Sequence, residues 1–148
     1  MKIRIINGPN LNLLGTREPA IYGELTLKEI NGRISKKAKE LDVEVDFFQS
    51  NHEGEIIESI HDVTGIDGYV INPAGYGHTS IAMLDAVKGA GIPSVEAHLS
   101  NIHSRESFRS HTMTSSAMIG VITGFGYFSY ILALEAIVNH LRTIKKEK

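Results

Sequence analysis

The stretch that decides the fold is residues 69–98, YVINPAGYGHTSIAMLDAVKGAGIPSVEAH. Its apolar run Tyr69–Ile71 predicts a strand that ends at an Asn-Pro pair, and Ile92–Val95 predicts a second strand after a glycine. Between them Ser80 can cap a helix that ends near two glycines. The inward-facing positions of this helix are expected to be Ile81, Leu84 and Val87. A strand, a helix and a strand in this order predict a βαβ unit with parallel strands.

The same alternation extends to both sides of this unit. Three further strands are predicted at Ile3–Ile6, Val43–Phe48 and Met118–Ile122. Further helices are predicted from Thr26, where Glu29 completes a capping box, over the apolar positions between Ile56 and Val63, and from about Phe128 to Arg142. The sum predicts an α/β fold, a flavodoxin-like five-stranded parallel sheet, doubly wound with helices on both faces. Residues 1–148 are expected to form a single domain.

Composition excludes several classes of protein. The chain has 148 residues, 42% of them hydrophobic, and a net charge of −2, which indicates a globular protein and no nucleic-acid partner. It has no cysteine, so disulfides and thiolate chemistry are excluded. No apolar run approaches the roughly 20 residues that span a bilayer, and the first apolar run is too short for a signal peptide. A soluble, cytoplasmic protein without a membrane partner is expected.

In sheets of this kind, ligands bind at the carboxyl ends of the strands, near the point where the strand order reverses. The loop after the first strand, residues 7–23, is longer than the usual βα connection and is expected to act as a lid. Near its end stand Arg17 and Tyr22. The phenol of tyrosine ordinarily has a pKa of about 10, but a neighbouring guanidinium favours the phenolate that a base requires. Alternatively, Tyr22 is a packing anchor and Arg17 pairs with Glu18.

The loop after the third strand begins with Asn72 and contains His78, just before a helix. Backbone amides at a helix start favour a hydroxyl or an anion, so both side chains are candidates for ligand binding. An equally good alternative is that Asn72 closes a turn and that His78 assists a helix cap.

Glu96 and His98 stand at the end of the fourth strand, two residues apart, so both can project from the same face. A carboxylate beside an imidazole orients it and favours its protonated form, which suits a general acid. Three of the six arginines lie in these loops: Arg17, Arg105 and Arg109. Arginine matches carboxylates, so a small polyhydroxylated carboxylate is a natural ligand. The alternative for Arg105 is a surface ion pair with Glu106.

Several kinds of chemistry lack their motifs. The sequence contains no HExxH, cysteine cluster or paired-aspartate pattern, so no metal is expected. It has neither a dinucleotide-binding glycine fingerprint nor a phosphate-binding loop, so no nucleotide or flavin cofactor is expected. None of the nine lysines lies in the three loops, so an imine mechanism is not expected.

In three blocks the sequence resembles the type II 3-dehydroquinate dehydratases. The blocks are Asn7-Gly8-Pro9-Asn10-Leu11 followed by Leu14-Gly15-x-Arg17-Glu18-Pro19-x-x-Tyr22-Gly23; Asn72-Pro73-Ala74 with His78-Thr79-Ser80; and Glu96-x-His98-x-Ser100-Asn101-Ile102-His103-x-Arg105-Glu106-x-Phe108-Arg109. The resemblance implies a single catalytic domain that removes water from 3-dehydroquinate by anti elimination through an enolate, without cofactor or metal.

The resemblance also implies a role for each candidate residue. Tyr22, as phenolate beside Arg17, would remove the proton next to the ketone, and Asn10 would place a water or donor at the enolate oxygen. His98, oriented by Glu96, would protonate the departing hydroxyl. The remaining residues would bind substrate: Asn72 and the backbone amides of Leu99 and Ser100 at the carboxylate, His78 and Arg109 at the ring hydroxyls, and Arg105 at the closing lid. Asp85 would come from a neighbouring subunit, in trimers assembled into a dodecamer.

Two positions depart from the family's pattern: Gly77 stands where threonine is usual, and Leu84 where arginine is usual. Aromatic biosynthesis by the shikimate pathway and quinate breakdown both use this reaction, and the sequence does not separate them. Two alternatives from other classes are a non-catalytic module that binds a metabolite of these pathways and a flavodoxin-like electron carrier. Retention of Arg17, Tyr22 and His98 favours the enzyme.

Overall fold

A five-stranded parallel sheet forms the centre of the molecule. The computed structural model describes residues 1–146. The strands are β1 Lys2–Asn7, β2 Glu44–Gln49, β3 Gly68–Asn72, β4 Ser94–His98 and β5 Gly120–Thr123. They lie in the order β2-β1-β3-β4-β5, and every neighbouring pair is parallel. The strand order therefore reverses between β1 and β3, which confirms the predicted flavodoxin-like topology and marks the edge where a ligand is expected.

Helices cover both faces of this sheet. They are α1 Pro19–Tyr22, α2 Leu27–Glu40, α3 Glu53–His61, α4 Ile81–Ala90 and α5 Phe128–Lys146, and short 3-10 turns lie in the loops. On one face α2 and α5 pack against strand residues such as Ile3 and Ile5. On the other face α3 and α4 pack against Ile6 and Ile71. Alternate residues of β1 thus enter opposite cores, as a doubly wound sheet requires.

The predicted helix caps are present. Thr26 and Glu29 form the capping box at the start of α2, because each side chain accepts a hydrogen bond from the other residue's backbone N–H. Ser80 Oγ accepts a hydrogen bond from Met83 N at the start of α4. Gly91 follows the end of α4 with a φ of +64°, a left-handed conformation that suits glycine.

The predicted inward face of α4 was wrong in part. Met83, Ala86 and Val87 are buried, whereas Ile81 is 58% exposed and Leu84 is half-buried. The helix carries two overlapping apolar stripes, and the contacts with α3 and the sheet decide which of them is covered. Periodicity alone cannot make that choice.

Several element boundaries also differ from the predictions. Strand β4 begins at Ser94 rather than Ile92, because Pro93 has no N–H to donate to the ladder. It continues to His98, past the predicted end at Val95. Strand β5 begins two residues later than predicted, α3 ends at His61 rather than Val63, and α5 continues past Arg142 to Lys146. Within residues 1–146, no helix is long and apolar enough to cross a membrane.

Candidate active site

A cavity of about 160 Å³ opens at the carboxyl edge of β1, β3 and β4. Ten of the predicted site residues line it: Asn10, Arg17, Tyr22, Asn72, His78, His98, Leu99, Ser100, Arg105 and Arg109. They come from three loops that are far apart in the sequence, and the reversal of strand order brings these loops together. Glu96 lies behind the cavity wall, in contact with His98.

Glu96 and His98 form a buried pair. Both belong to β4, where residues two apart point to the same side, and Glu96 is 0% exposed. His98 Nε2 lies 2.7 Å from Glu96 Oε1, and Thr114 Oγ1 donates to Glu96 Oε2 at 2.6 Å. An ionised carboxylate only accepts hydrogen bonds, so His98 Nε2 carries the hydrogen. The imidazole is thereby oriented, and its Nδ1 is left free of the carboxylate.

Sequence reasoning missed Thr114. It lies in a 3-10 turn 18 residues after Glu96, and no motif connects the two positions. The turn brings the hydroxyl next to Gly77, where a Cβ atom would lie 3.5 Å from Thr114 Oγ1 and 2.7 Å from Pro73 Cγ. A side chain at position 77 would crowd Pro73, whereas its contact with Thr114 would be an ordinary one, so Gly77 allows the loop to pack closely on this proline.

His78 has a defined orientation. Its Nδ1 lies 2.8 Å from the carbonyl oxygen of His111, which can only accept, so Nδ1 carries a hydrogen, and in the neutral ring Nε2 is the acceptor. Its ring stacks on that of His98, with the centroids 6.2 Å apart. An acceptor in this place can bind a ligand hydroxyl that donates to it. The alternative that His78 assists a cap is not supported, because Ser80 itself caps α4.

Two guanidinium groups lie next to Tyr22. It ends the short helix α1, and Arg105 Nη1 donates to its hydroxyl at 2.9 Å. The Cζ atoms of Arg17 and Arg105 lie 5.0 and 5.3 Å from the centre of its ring. Arg17 also pairs with Glu18 at 3.5 Å, as the alternative interpretation predicted. The hydrogen bond to the phenol thus comes from Arg105, and Arg17 stacks on the ring.

Glu106 holds two arginines at the mouth of the cavity. Its Oε2 accepts from Arg109 Nε at 2.8 Å and lies 3.8 Å from Arg105 Nε. A hydrogen bond from its own backbone N–H and the contact with Arg109 lower the pKa of Glu106 below its ordinary value. The predicted pair between Arg105 and Glu106 is present but loose. Arg105 also donates to Ser100 Oγ at 3.4 Å, so it bridges the lid and the loop after β4.

Asn72 is 3% exposed and belongs to a buried hydrogen-bond chain. Its Oδ1 accepts from Ala74 N at 3.1 Å, so the turn-closing interpretation holds for one end of the amide. Its Nδ2 donates to Tyr130 Oη at 2.9 Å, and Tyr130 Oη donates to Asn7 Oδ1 at 2.5 Å. Sequence reasoning missed Asn7 and Tyr130 as partners of Asn72, because helical spacing places Tyr130 among ordinary core residues.

Asn10 and Asp85 lie in very different places. Asn10 lines the cavity with a left-handed φ of +67°, and its backbone N donates to Asn51 Oδ1 at 2.9 Å. Asp85 is exposed on α4 and does not line this cavity. Its role for a neighbouring subunit stays a prediction. Within the described part of the chain, no three His, Asp or Glu residues are grouped to hold a metal.

Comparison with known proteins agrees with this fold. Residues 1–138 match the family model of dehydroquinase class II. The 3-dehydroquinate dehydratase of Clostridium botulinum is 54% identical over 140 residues, covering 94% of this chain and 95% of that protein. The 3-dehydroquinate dehydratase of Synechococcus sp. is 50% identical over 146 residues, covering 98% and 99%.

A solved structure is similarly close. The type II dehydroquinase of Butyrivibrio crossotus superposes with a TM-score of 0.91 at 43% identity, covering 93% of this chain and 97% of that chain. A parallel sheet with the strand order β2-β1-β3-β4-β5 and helices on both faces defines a flavodoxin-like α/β protein. The chain belongs to the class II dehydroquinase family.

Proposed function

We propose that this chain is a hydro-lyase that converts 3-dehydroquinate to 3-dehydroshikimate. One observation carries the proposal: a tyrosine next to two guanidiniums and a histidine fixed by a buried carboxylate line the same 160 Å³ cavity. These are the base and the acid that an elimination of water needs. Membership of the class II dehydroquinase family, with relatives named for this activity, supports the same reaction.

Tyr22 acts as the base. The positive charges of Arg17 and Arg105 stabilise a negative charge on its oxygen. As phenolate it takes the proton from the carbon next to the ketone, and the electrons of that C–H bond form the enolate. Asn10 lines the cavity within this first loop and positions a water or donor at the enolate oxygen.

His98 acts as the general acid. Its Nε2–H stays with Glu96, so the proton that it delivers is carried on Nδ1, the nitrogen that the carboxylate leaves free. When the enolate collapses to the conjugated enone, the tertiary C–O bond breaks and the leaving hydroxyl takes that proton. Glu96 stabilises the charged imidazolium before transfer.

The rest of the lining binds the substrate. Asn72 and the backbone amides of Leu99 and Ser100 are donors for the carboxylate, at the end of the sheet where such anions bind. His78 Nε2 accepts from a ring hydroxyl, and Arg109 donates to another. Arg105 keeps the lid closed through its bond to Tyr22. All of these residues lie at one edge of one sheet, which supports a single catalytic domain over residues 1–148.

Assembly forms part of the proposal. Asp85 lies on α4 beside Ile81, a large apolar side chain that is 58% exposed, so this surface suits contact with another copy of the chain. A trimer in which Asp85 reaches a neighbour's cavity, repeated to a dodecamer, is the arrangement that the family resemblance implies. A sedimentation experiment tests it, and a monomer with full activity would contradict it. A cytoplasmic location stays a prediction.

The reaction is tested with purified protein and 3-dehydroquinate, by following the ultraviolet absorbance of the enone product. Tyr22→Phe and His98→Ala are compared with Tyr76→Phe and His103→Ala, two residues of the same types outside the cavity lining. Wild type and both controls should turn over, without inhibition by borohydride or a chelator, and the two site variants should lose most of kcat.

Two other outcomes have distinct meanings. Saturable binding of 3-dehydroquinate without turnover would indicate the non-catalytic metabolite-binding module instead of an enzyme. Neither binding nor turnover would contradict the proposed substrate. A yellow protein that retains flavin would indicate the electron carrier.

A further inference from the structure

A tyrosine from the last helix joins the ends of the two strands at the switch point. Asn7 ends β1 and Asn72 ends β3, and the two residues are register partners in the sheet. Tyr130, in the first turn of α5 and 0% exposed, places its hydroxyl between them. It bonds to Asn7 at 2.5 Å and to Asn72 at 2.9 Å. The contact spans the reversal of strand order where the cavity opens.

The backbone of Ala74 fixes the direction of the hydrogen bonds that Asn72 makes. The backbone N–H of Ala74 can only donate, so Asn72 must turn its Oδ1 toward it and its Nδ2 toward Tyr130. The tyrosine hydroxyl then accepts from Asn72, and its single hydrogen goes to Asn7 Oδ1. Asn72 Nδ2 carries two hydrogens, and Tyr130 accepts one of them. The second is available to a ligand in the cavity that Asn72 lines.

We propose that Tyr130 and Asn7 are positioning residues that hold the Asn72 amide with one N–H presented to the substrate carboxylate. This inference rests on the proposed function and deepens it. Without the tyrosine hydroxyl, the Asn72 amide keeps only the bond to Ala74 and can rotate about its last torsion. Substrate binding would then also have to order the Asn72 side chain, which the wild-type protein already holds in place.

A second buried tyrosine shows what a purely structural hydroxyl looks like. Tyr69 is also 0% exposed, and its hydroxyl donates to the backbone carbonyl of Ile60 at the end of α3, on the other face of the sheet. That bond joins a strand to a helix and has no side chain of the cavity as a partner. Tyr130 instead bonds to two side chains at strand ends, and one of them lines the cavity.

The hydroxyl of Tyr130 remains protonated in the range where enzymes are assayed. Complete burial raises the pKa of Tyr130 well above its ordinary value, because the phenolate would lose its hydration. The hydrogen that goes to Asn7 is therefore always present, and the direction of the chain does not change with pH. The effect of Tyr130 on substrate binding should be the same across the pH profile of the enzyme.

The test compares Tyr130→Phe with Tyr69→Phe, which removes one buried hydroxyl of the same kind. Steady-state kinetics with 3-dehydroquinate and thermal unfolding are measured for both. Tyr130→Phe should raise KM by about tenfold with kcat changed by less than about twofold, since the reacting groups are untouched. Both variants should lower the thermal midpoint to a similar degree, but Tyr69→Phe should leave KM unchanged.

A double-mutant cycle separates action through Asn72 from a general loosening of the site. In an Asn72→Ala background, Tyr130→Phe should have no further effect on KM, because the amide that it positions is absent. Asn7→Ala repeats the test at the other end of the hydrogen-bond chain. It replaces Tyr130→Phe as the test of positioning if that variant does not fold. It should raise KM in wild type and not in Asn72→Ala.

The outcomes distinguish this inference from the proposed function. If wild type turns over 3-dehydroquinate and Tyr130→Phe keeps its KM, the positioning role is wrong and the reaction stands. Equal rises in KM for Tyr130→Phe and Tyr69→Phe, or full additivity with Asn72→Ala, would also overturn it. If wild type neither binds nor turns over 3-dehydroquinate, the proposed function itself has failed.

Discussion

The hydroxyl of Thr114 should be needed for catalysis, although it lies behind the cavity wall. Glu96 is completely buried and has two partners, His98 at 2.7 Å and Thr114 at 2.6 Å. Thr114→Val keeps the shape of the side chain and removes the hydroxyl. One oxygen of a buried carboxylate then has no donor, and the carboxylate is no longer held in the orientation that His98 requires.

The magnitude follows from the type of bond. A buried hydrogen bond to a charged group contributes about 1.5–3 kcal/mol, so Thr114→Val should lower the free energy of unfolding by about 2 kcal/mol. For a chain of this length, that corresponds to a thermal midpoint lower by about 4–8 °C. If about 1.4 kcal/mol of the loss appears in the transition state, kcat falls about tenfold. KM should change little, because Thr114 does not line the cavity.

The assay is enone formation from 3-dehydroquinate together with thermal unfolding of the same preparations. Thr114→Ser keeps a hydroxyl and should restore most of kcat. Ser129→Ala is a suitable control, since it removes another completely buried hydroxyl that lies outside the cavity lining. If Thr114→Val kept wild-type kcat and stability, the hydrogen bond to Glu96 would have no importance for either property. A stability loss without any change in kcat would refute the catalytic part alone.

Two further predictions concern acid stability and the lid. The backbone N–H of Lys2 donates to Asp67 at 2.8 Å and lowers the pKa of this carboxyl. The ionised Asp67 carboxylate stabilises the fold at pH values above the ordinary pKa of aspartate, and this stabilisation is lost as the pH falls through the lowered pKa of the folded state. In Asp67→Asn, the free energy of unfolding measured with urea should therefore fall less steeply as the pH is lowered into the acid range. At neutral pH, Asp67→Asn should lower the free energy of unfolding by about 0.5 kcal/mol, since the site is partly exposed. Equal stability of the variant and wild type at every pH would contradict this prediction. Arg105→Met should lower kcat/KM by about 100-fold, because Tyr22 loses a charged donor, whereas Arg33→Met, which removes a guanidinium stacked on another tyrosine, should not.

The sequence predicts those parts of the site that depend on local geometry. Glu96 and His98 could be paired in advance, because a strand places residues two apart on one face. The convergence of the three loops could also be predicted, since the carboxyl ends of parallel strands meet at one edge of the sheet. The five strands and the capped helices follow from periodicity and from Thr26 and Ser80 in the same way.

Other parts depend on contacts between distant segments. Thr114 reaches Glu96 because a 3-10 turn folds back over β4, and a threonine in a polar stretch gives no sign of this. The sequence indicated Arg17 as the guanidinium beside Tyr22. The structure places Arg17 over the ring of Tyr22, and the hydrogen bond to the hydroxyl comes from Arg105, 83 residues away. Which stripe of α4 faces the core is likewise set by its neighbours rather than by its own sequence.

The hydrogen bond between Tyr130 and Asn7 has a consequence for folding during synthesis on the ribosome. The two residues are 123 positions apart, so the first strand and the last helix must both be present before the bond can form. Strands β1, β3 and β4 can pair earlier, but the edge that they present is incomplete until α5 docks. A nascent chain should therefore reach its full affinity for 3-dehydroquinate only after Tyr130 has emerged and α5 has docked, because so distant a contact cannot form earlier.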